Sequence, residues 1–359
     1  MSRLTLKGEI GSIPYVHFLE GPVYYRQRDV EFISQLLSPC VFSAFAPVVE
    51  ECVMERILAF IDPSEGGLTA LQQAIAIAEA DEQGPEVVAL HQVYDLPAQI
   101  EKVIKGSYLH NLTRPILADA EKWIEQAVSP YRDSQVINTN EPIKLVTEVV
   151  WGNHSYRAVA SLCQDKPVDL VIKRADHRTR WAELVIHSDD WHLLSHAPTE
   201  VLMLDEIQNF SQGKLLLSLE SFDPRHEALN KRILERACLL REAFSLNLHV
   251  LHAFPNMTNL PVYGLESASY LSEEVMVEIE KSHRETTIEL VKPYGLTEED
   301  VTVAPGPAAL LIPEKVSQWQ PDALMLGNLH EKGVPGVALT KSFDHLQETL
   351  KCGLWVIPG

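Results

Sequence analysis

The feature that most constrains this chain is an internal repeat. An apolar run, an acidic turn and a helix-like pattern occur twice: Arg56 to Phe60 with Asp62-Pro63-Ser64 and a helical run from Gly67 to Ala80, then Lys214 to Leu219 with Glu220, Asp223-Pro224 and a helical run from Ala228 to Phe244. Each copy continues with a β-rich run carrying a histidine, at 87–93 and 248–254, and a long helical region, at 107–130 and 271–294. Runs ending in glycine follow at 146–152 and 300–306, then helices at 154–165 and 308–319 and strands at 169–173 and 322–327. Each copy closes with a helix and a strand, at 189–204 and 343–357. Matched features lie 153 to 161 residues apart, pairing Gly152 with Gly306, Asp169 with Asp322 and Val201 with Trp355. Strands that alternate with helices and are apolar along their length predict a parallel sheet covered on both faces, so the expected class is α/β. The repeat sets the domains at 54–205 and 213–359, joined by a polar linker at 206–212.

Composition then removes several function classes. The chain has 359 residues, and one core rarely grows so large, which agrees with two domains. Thirty Lys and Arg stand against 50 Asp and Glu, a formal charge of −20. Nucleic acids and anionic membranes call for a basic surface, so neither is expected as a partner. The five cysteines, Cys40, Cys52, Cys163, Cys238 and Cys352, form no CxxC pair and are odd in number, which fits a reduced compartment. No apolar run reaches the length of a membrane helix and the first residues lack a signal-peptide layout, so a cytoplasmic location is expected. Residues 1–53 lie outside the repeat. One reading makes them an irregular extension packed on the domain; the other makes Met54 the biological start.

The segments Ile57 to Glu65, Ala89 to Asp95 and Val149 to Asn153, and above all 169–204 with its Asp190-Trp-His-Leu-Leu194 element, resemble the universal stress protein family in its tandem form. The resemblance runs over residues 54–358. It implies two flavodoxin- or Rossmann-like domains, each a five-stranded parallel sheet of order 3-2-1-4-5. It also implies that the halves pair as an internal pseudo-dimer through their last strands, hiding two apolar edges, and it leaves a further homodimer open. Family members are cytoplasmic stress-response factors, most without demonstrated catalysis, so no enzyme activity and no catalytic residue are expected.

In such a sheet the ligand crevice lies where the strand order reverses, between strands 1 and 4. That places Asp62 near Lys173 and Arg174 in the first half, and Glu220 near Gly327 in the second. Members that bind ATP carry a G-x2-G-x9-G-[S/T] loop after strand 4, because glycines let backbone N–H groups approach phosphates. Here the second half reads Gly327, His330, Thr340 and Lys341 at those places, and the first half Arg174, His177, His187 and Ser188. Side chains at glycine positions block close approach of the backbone. No cofactor is therefore expected, and ATP, the ligand the family implies, fits the first half worse than the second.

Lys173, Arg174, His177, Arg178, Arg180, His187 and His192 cluster within twenty residues of an acidic chain. Two readings are open: a pocket for a small anionic ligand, or a solvated loop whose cations pair with Asp176, Glu183, Asp189 and Asp190. His91 and His252 end the second strands without the spacing of metal ligands, and read as satisfied strand-end histidines. Trp191 reads as core, as do Cys163 and Cys238. The apolar stretches 96–124 and 255–270 either pack on the sheet or line a cavity for a small apolar ligand. The expected function is a binding or regulatory protein of the stress response with a degenerate nucleotide motif. The alternative is an ATP-binding or weakly ATP-hydrolysing switch built on the loop at Gly327.

Overall fold

The computed structural model describes residues 54–81, 84–93, 107–138, 143–152, 154–175, 189–255, 273–328 and 352–359. The expected sites His177, Ser188 and His330, residues 1–53, and most of the stretches 96–124 and 255–270 lie outside them. The described strands are β1 (Arg56–Phe60), β2 (Glu86–Val93), β3 (Leu145–Trp151), β4 (Leu170–Arg174), β5 (Glu200–Leu204), β6 (Lys214–Ser218), β7 (Asn247–Phe254), β8 (Val301–Pro305), β9 (Ala323–Asn328) and β10 (Gly353–Pro358). The helices are α1 (Thr69–Ala80), α2 (Ser107–Asn138), α3 (Ser155–Asp165), α4 (Asp189–His196), α5 (Glu227–Phe244), α6 (Glu273–Val291) and α7 (Ala308–Trp319). The fold is α/β, as the alternating pattern predicts, and each described helix falls within a few residues of the expected place.

All ten strands form one sheet, in the order β3-β2-β1-β4-β5-β10-β9-β6-β7-β8. Every pairing is parallel except β5 with β10 at the centre, where Val201, Leu202 and Met203 face Val356, Trp355 and Leu354 antiparallel. Strand residues alternate between faces, and each face has its own core. Ile57, Ala59, Leu170, Ile172, Leu215, Leu217 and Met325 belong to one. Leu58, Phe60, Val171, Leu216, Leu324 and Leu326 belong to the other. Both cores run through both halves, because the central pairing leaves no apolar edge between them.

Local sequence explains the element ends. Asp169 accepts hydrogen bonds from the backbone N–H of Glu55 at 2.8 Å and of Arg56 at 2.9 Å, fixing the entry to β1. Its repeat partner Asp322 accepts from Lys214 N–H at 2.7 Å at the entry to β6. Before α5, Asp223 accepts from Arg225 N–H at 3.0 Å and pairs with its guanidinium, which holds the Asp223 carboxyl down at about 2. Helix α5 buries Leu229, Ile233, Leu234, Ala237 and Leu240 on one stripe and stops at Ser245 in the left-handed region (φ +56°). The linker is not free of the core: Phe210 is buried between Phe244 and Trp355.

Candidate functional site

The first crevice is built from the turn after β1. Asp62 folds back on this turn, its Oδ1 accepting from Ser64 N–H at 2.8 Å while its own N–H donates to Gly67 O at 3.2 Å. Gly67 has to be glycine here, since a Cβ would stand 2.0 Å from the Asp62 carbonyl oxygen. Arg174, the last residue of β4, crosses this turn. Its Nη1 donates to Glu65 O and its Nε to Asp205 O at 3.3 Å, with the guanidinium lying against Gly66. The arginine at the first glycine position of the nucleotide pattern thus spans the mouth between the turns after β1 and β5.

Lys173 is one residue away and therefore on the opposite face. It does not join Arg174 in a pocket. It pairs with Asp189 at 3.4 Å and, more closely, with Asp190, both in the first turn of α4. Burial pulls the Lys173 ammonium down, but the two carboxylates outweigh it and the net shift is upward. Asp189 also accepts from Ser155 N–H at 2.8 Å, capping α3, and from the Ser155 hydroxyl. Ser155 donates to Gln92 at 3.1 Å as well, and Gln92 donates to Gly152 O at 2.6 Å. The network joins the ends of β2, β3 and β4 to the starts of α3 and α4.

In the second crevice Glu220 repeats the Asp62 turn, accepting from Phe222 N–H at 3.1 Å, while its carbonyl takes a 2.7 Å bond from Asn230. Gly327 lies on the inner face of β9 at the place of Arg174. A Cβ there would come within 2.4 Å of the Leu229 side chain. The space over this glycine is filled by helix α5. The next residue, Asn328, is buried and donates to the carbonyls of Leu194 and Ser195 at 3.3 and 3.1 Å, so the end of β9 is tied to α4 of the other half.

The strand-end histidines are fixed the same way in both halves. His91 Nδ1 lies 2.9 Å from Ile61 O and His252 Nδ1 lies 3.1 Å from Leu219 O. His252 is fully buried, and its Nε2 meets His283 Nδ1 of α6 at 2.8 Å. His283 stacks between Phe222 and Phe254, and burial together with His252 lowers its pKa. The sequence gives no hint of His283, because it enters from a separate helix. A second missed cluster does carry a signal. His192 and His196, four apart on α4, have ring centroids 5.6 Å apart and gather with buried Trp191 around Tyr156. Among the described residues no group of three or more His, Cys, Asp or Glu is placed to hold a metal ion. Burial pushes the Cys163 and Cys238 thiols up, and that of Cys352 to about 12.

The profile of the universal stress protein family matches residues 54–205. This segment is a universal stress protein domain. Similarity to tandem proteins extends it over the second half. Universal stress protein E of Escherichia coli K12 is 24% identical over 306 residues, 84% of this chain and 93% of that protein. The universal stress protein E homolog of Haemophilus influenzae is 22% identical over 84% of this chain and 96% of its own length. Among solved structures, a putative universal stress protein from Pseudomonas aeruginosa UCBPP-PA14 superposes with a TM-score of 0.62 at 20% identity, over 86% of this chain and 94% of that one. A functionally unknown protein from Pseudomonas aeruginosa PAO1 gives 0.60 at 21%, over 86% and 93%. These likenesses support a stress-response role for a tandem universal stress protein. No described helix is long and apolar enough to cross a membrane.

Proposed function

We propose that this tandem universal stress protein works in the cytoplasm as a binding and regulatory protein whose nucleotide crevices are filled by its own side chains. The observation that carries the reading is the pair of fillings at one repeat position: the Arg174 guanidinium across the first crevice and Leu229 over Gly327 in the second. Phosphates need backbone N–H groups at close range, and both fillings deny that approach. The acid–base balance argues the same way. Asp189 and Asp190 outnumber Lys173 on their face of the sheet, so an anion arriving there meets a net negative charge.

The test is titration of the purified full chain with a fluorescent ATP analogue. No saturation is expected below about 1 mM, the affinity of a contact worth about 4 kcal/mol. Micromolar binding that Leu229→Phe abolishes would overturn the proposal in favour of a nucleotide switch at Gly327.

A further inference from the structure

Away from the crevices, three polar side chains form a short relay on the outer part of the second half. Lys315 of α7 donates from Nζ to Thr302 Oγ1 of β8 at 2.9 Å. The same oxygen lies 2.8 Å from His249 Nε2 of β7. All three residues are partly buried. Burial holds the His249 imidazole near a pKa of about 4, with the charge of Lys315 adding to the effect against the opposing pull of Asp300. His249 is therefore neutral at pH 7, and an Nε2 lone pair can accept the Thr302 hydroxyl proton. The Thr302 oxygen is then left to accept from Lys315. Among the described residues no carboxylate lies within ion-pairing distance of Lys315, and burial lowers its ammonium pKa. Trp319, four residues along the same helix face, stands with its ring 5.2 Å from His249, and Lys214 sits 5.7 Å above that ring. The site thus offers an amine without a counter-charge, a hydroxyl–imidazole proton path and one aromatic wall.

We propose that Lys315 is a nucleophilic amine that takes up small aldehydes as imines, with Thr302 and His249 as positioning residues. The neutral Nζ adds its lone pair to the carbonyl carbon, and the C=O π pair moves to oxygen. A proton leaves Nζ for Thr302 Oγ1 as the Thr302 proton moves to His249 Nε2. The reverse shift delivers a proton to the carbinolamine oxygen, which departs as water when C=N forms. No oxidant or reductant is consumed. An amine in apolar surroundings with an adjacent proton carrier is the arrangement that activates lysine for this chemistry.

The test uses the full chain with propanal below one equivalent at pH 7.5, imines being trapped by sodium cyanoborohydride and mapped by peptide mass spectrometry. Exposed Lys231 and Lys281 serve as internal references, with 66% and 59% of their side chains accessible. Lys315 is expected to label about tenfold faster than either, a modest fraction of what a positioned proton carrier can supply. Thr302→Val should remove the advantage and Thr302→Ser should keep it. His249→Phe gives the same reading if the valine variant does not fold. Labelling of Lys315 no faster than of Lys231, or an advantage that survives both Thr302→Val and His249→Phe, would overturn the proposal.

Discussion

At the scale of single residues, the histidines of the second half couple this fold to pH. His249 and His283 are held neutral by burial, His249 near 4, while an unfolded chain takes up their protons below about 6.5. The unfolded state therefore binds more protons as pH falls, and stability drops from pH 6.5 toward 4 instead of holding level. Urea unfolding at pH 7, 5.5 and 4.5 should show this decline. His249→Gln, which keeps a partner for Thr302, should flatten part of it; an unchanged slope would mean that His249 titrates normally in the folded protein. Residue identity alone marked His91 and His252 as strand-end groups. It could not supply the backbone carbonyl that each one meets, nor His283.

At the scale of elements, the glycines show how a position can keep its residue and change its reason. Gly327 stands where the nucleotide pattern has glycine, yet its missing side chain makes room for Leu229 of α5. Gly327→Ala should cost about 1–3 kcal/mol by overpacking, and adding Leu229→Ala should return about 1 kcal/mol relative to the sum of the single changes. Strict additivity in chemical denaturation would show that α5 does not press on β9 here. Gly67→Ala should cost more than Gly327→Ala, because the atom in its way is a backbone oxygen and not the end of a leucine. The helices and strands themselves were legible from period and from apolar runs. The split of Lys173 and Arg174 onto opposite faces was also implicit, in the two-residue period of β4, although their common charge suggested one pocket.

At the scale of the whole molecule, a buried cluster lies where the halves meet. Glu200 of β5 takes 3.0 Å bonds from Arg236 Nε of α5 and from Trp355 Nε1 of β10. Burial pushes the Glu200 carboxyl up against the pull of Arg236 and the indole. Removing one member of a buried pair strands the other, so Arg236→Met should destabilise by about 3–5 kcal/mol. The double change Glu200→Gln with Arg236→Met keeps an acceptor for the indole and should cost less than half of that. A double variant as unstable as the single one would place the cost in the lost arginine packing.

The sequence by itself determined the α/β class, the two copies and their boundaries at 54–205 and 213–359, because strand and helix periods are local and a repeat is read by counting. It also marked the departures from the nucleotide pattern at Arg174, His177, His187 and His330. Only the tertiary structure decided what stands in the crevices, since Leu229 and Gly327 are 98 residues apart in the chain and meet through packing of α5 on β9. Likewise Glu200, Arg236 and Trp355 come from three elements and meet only when β5 and β10 pair. Contacts of this kind leave no periodic trace, because each partner is chosen by the fold and not by its neighbours in sequence.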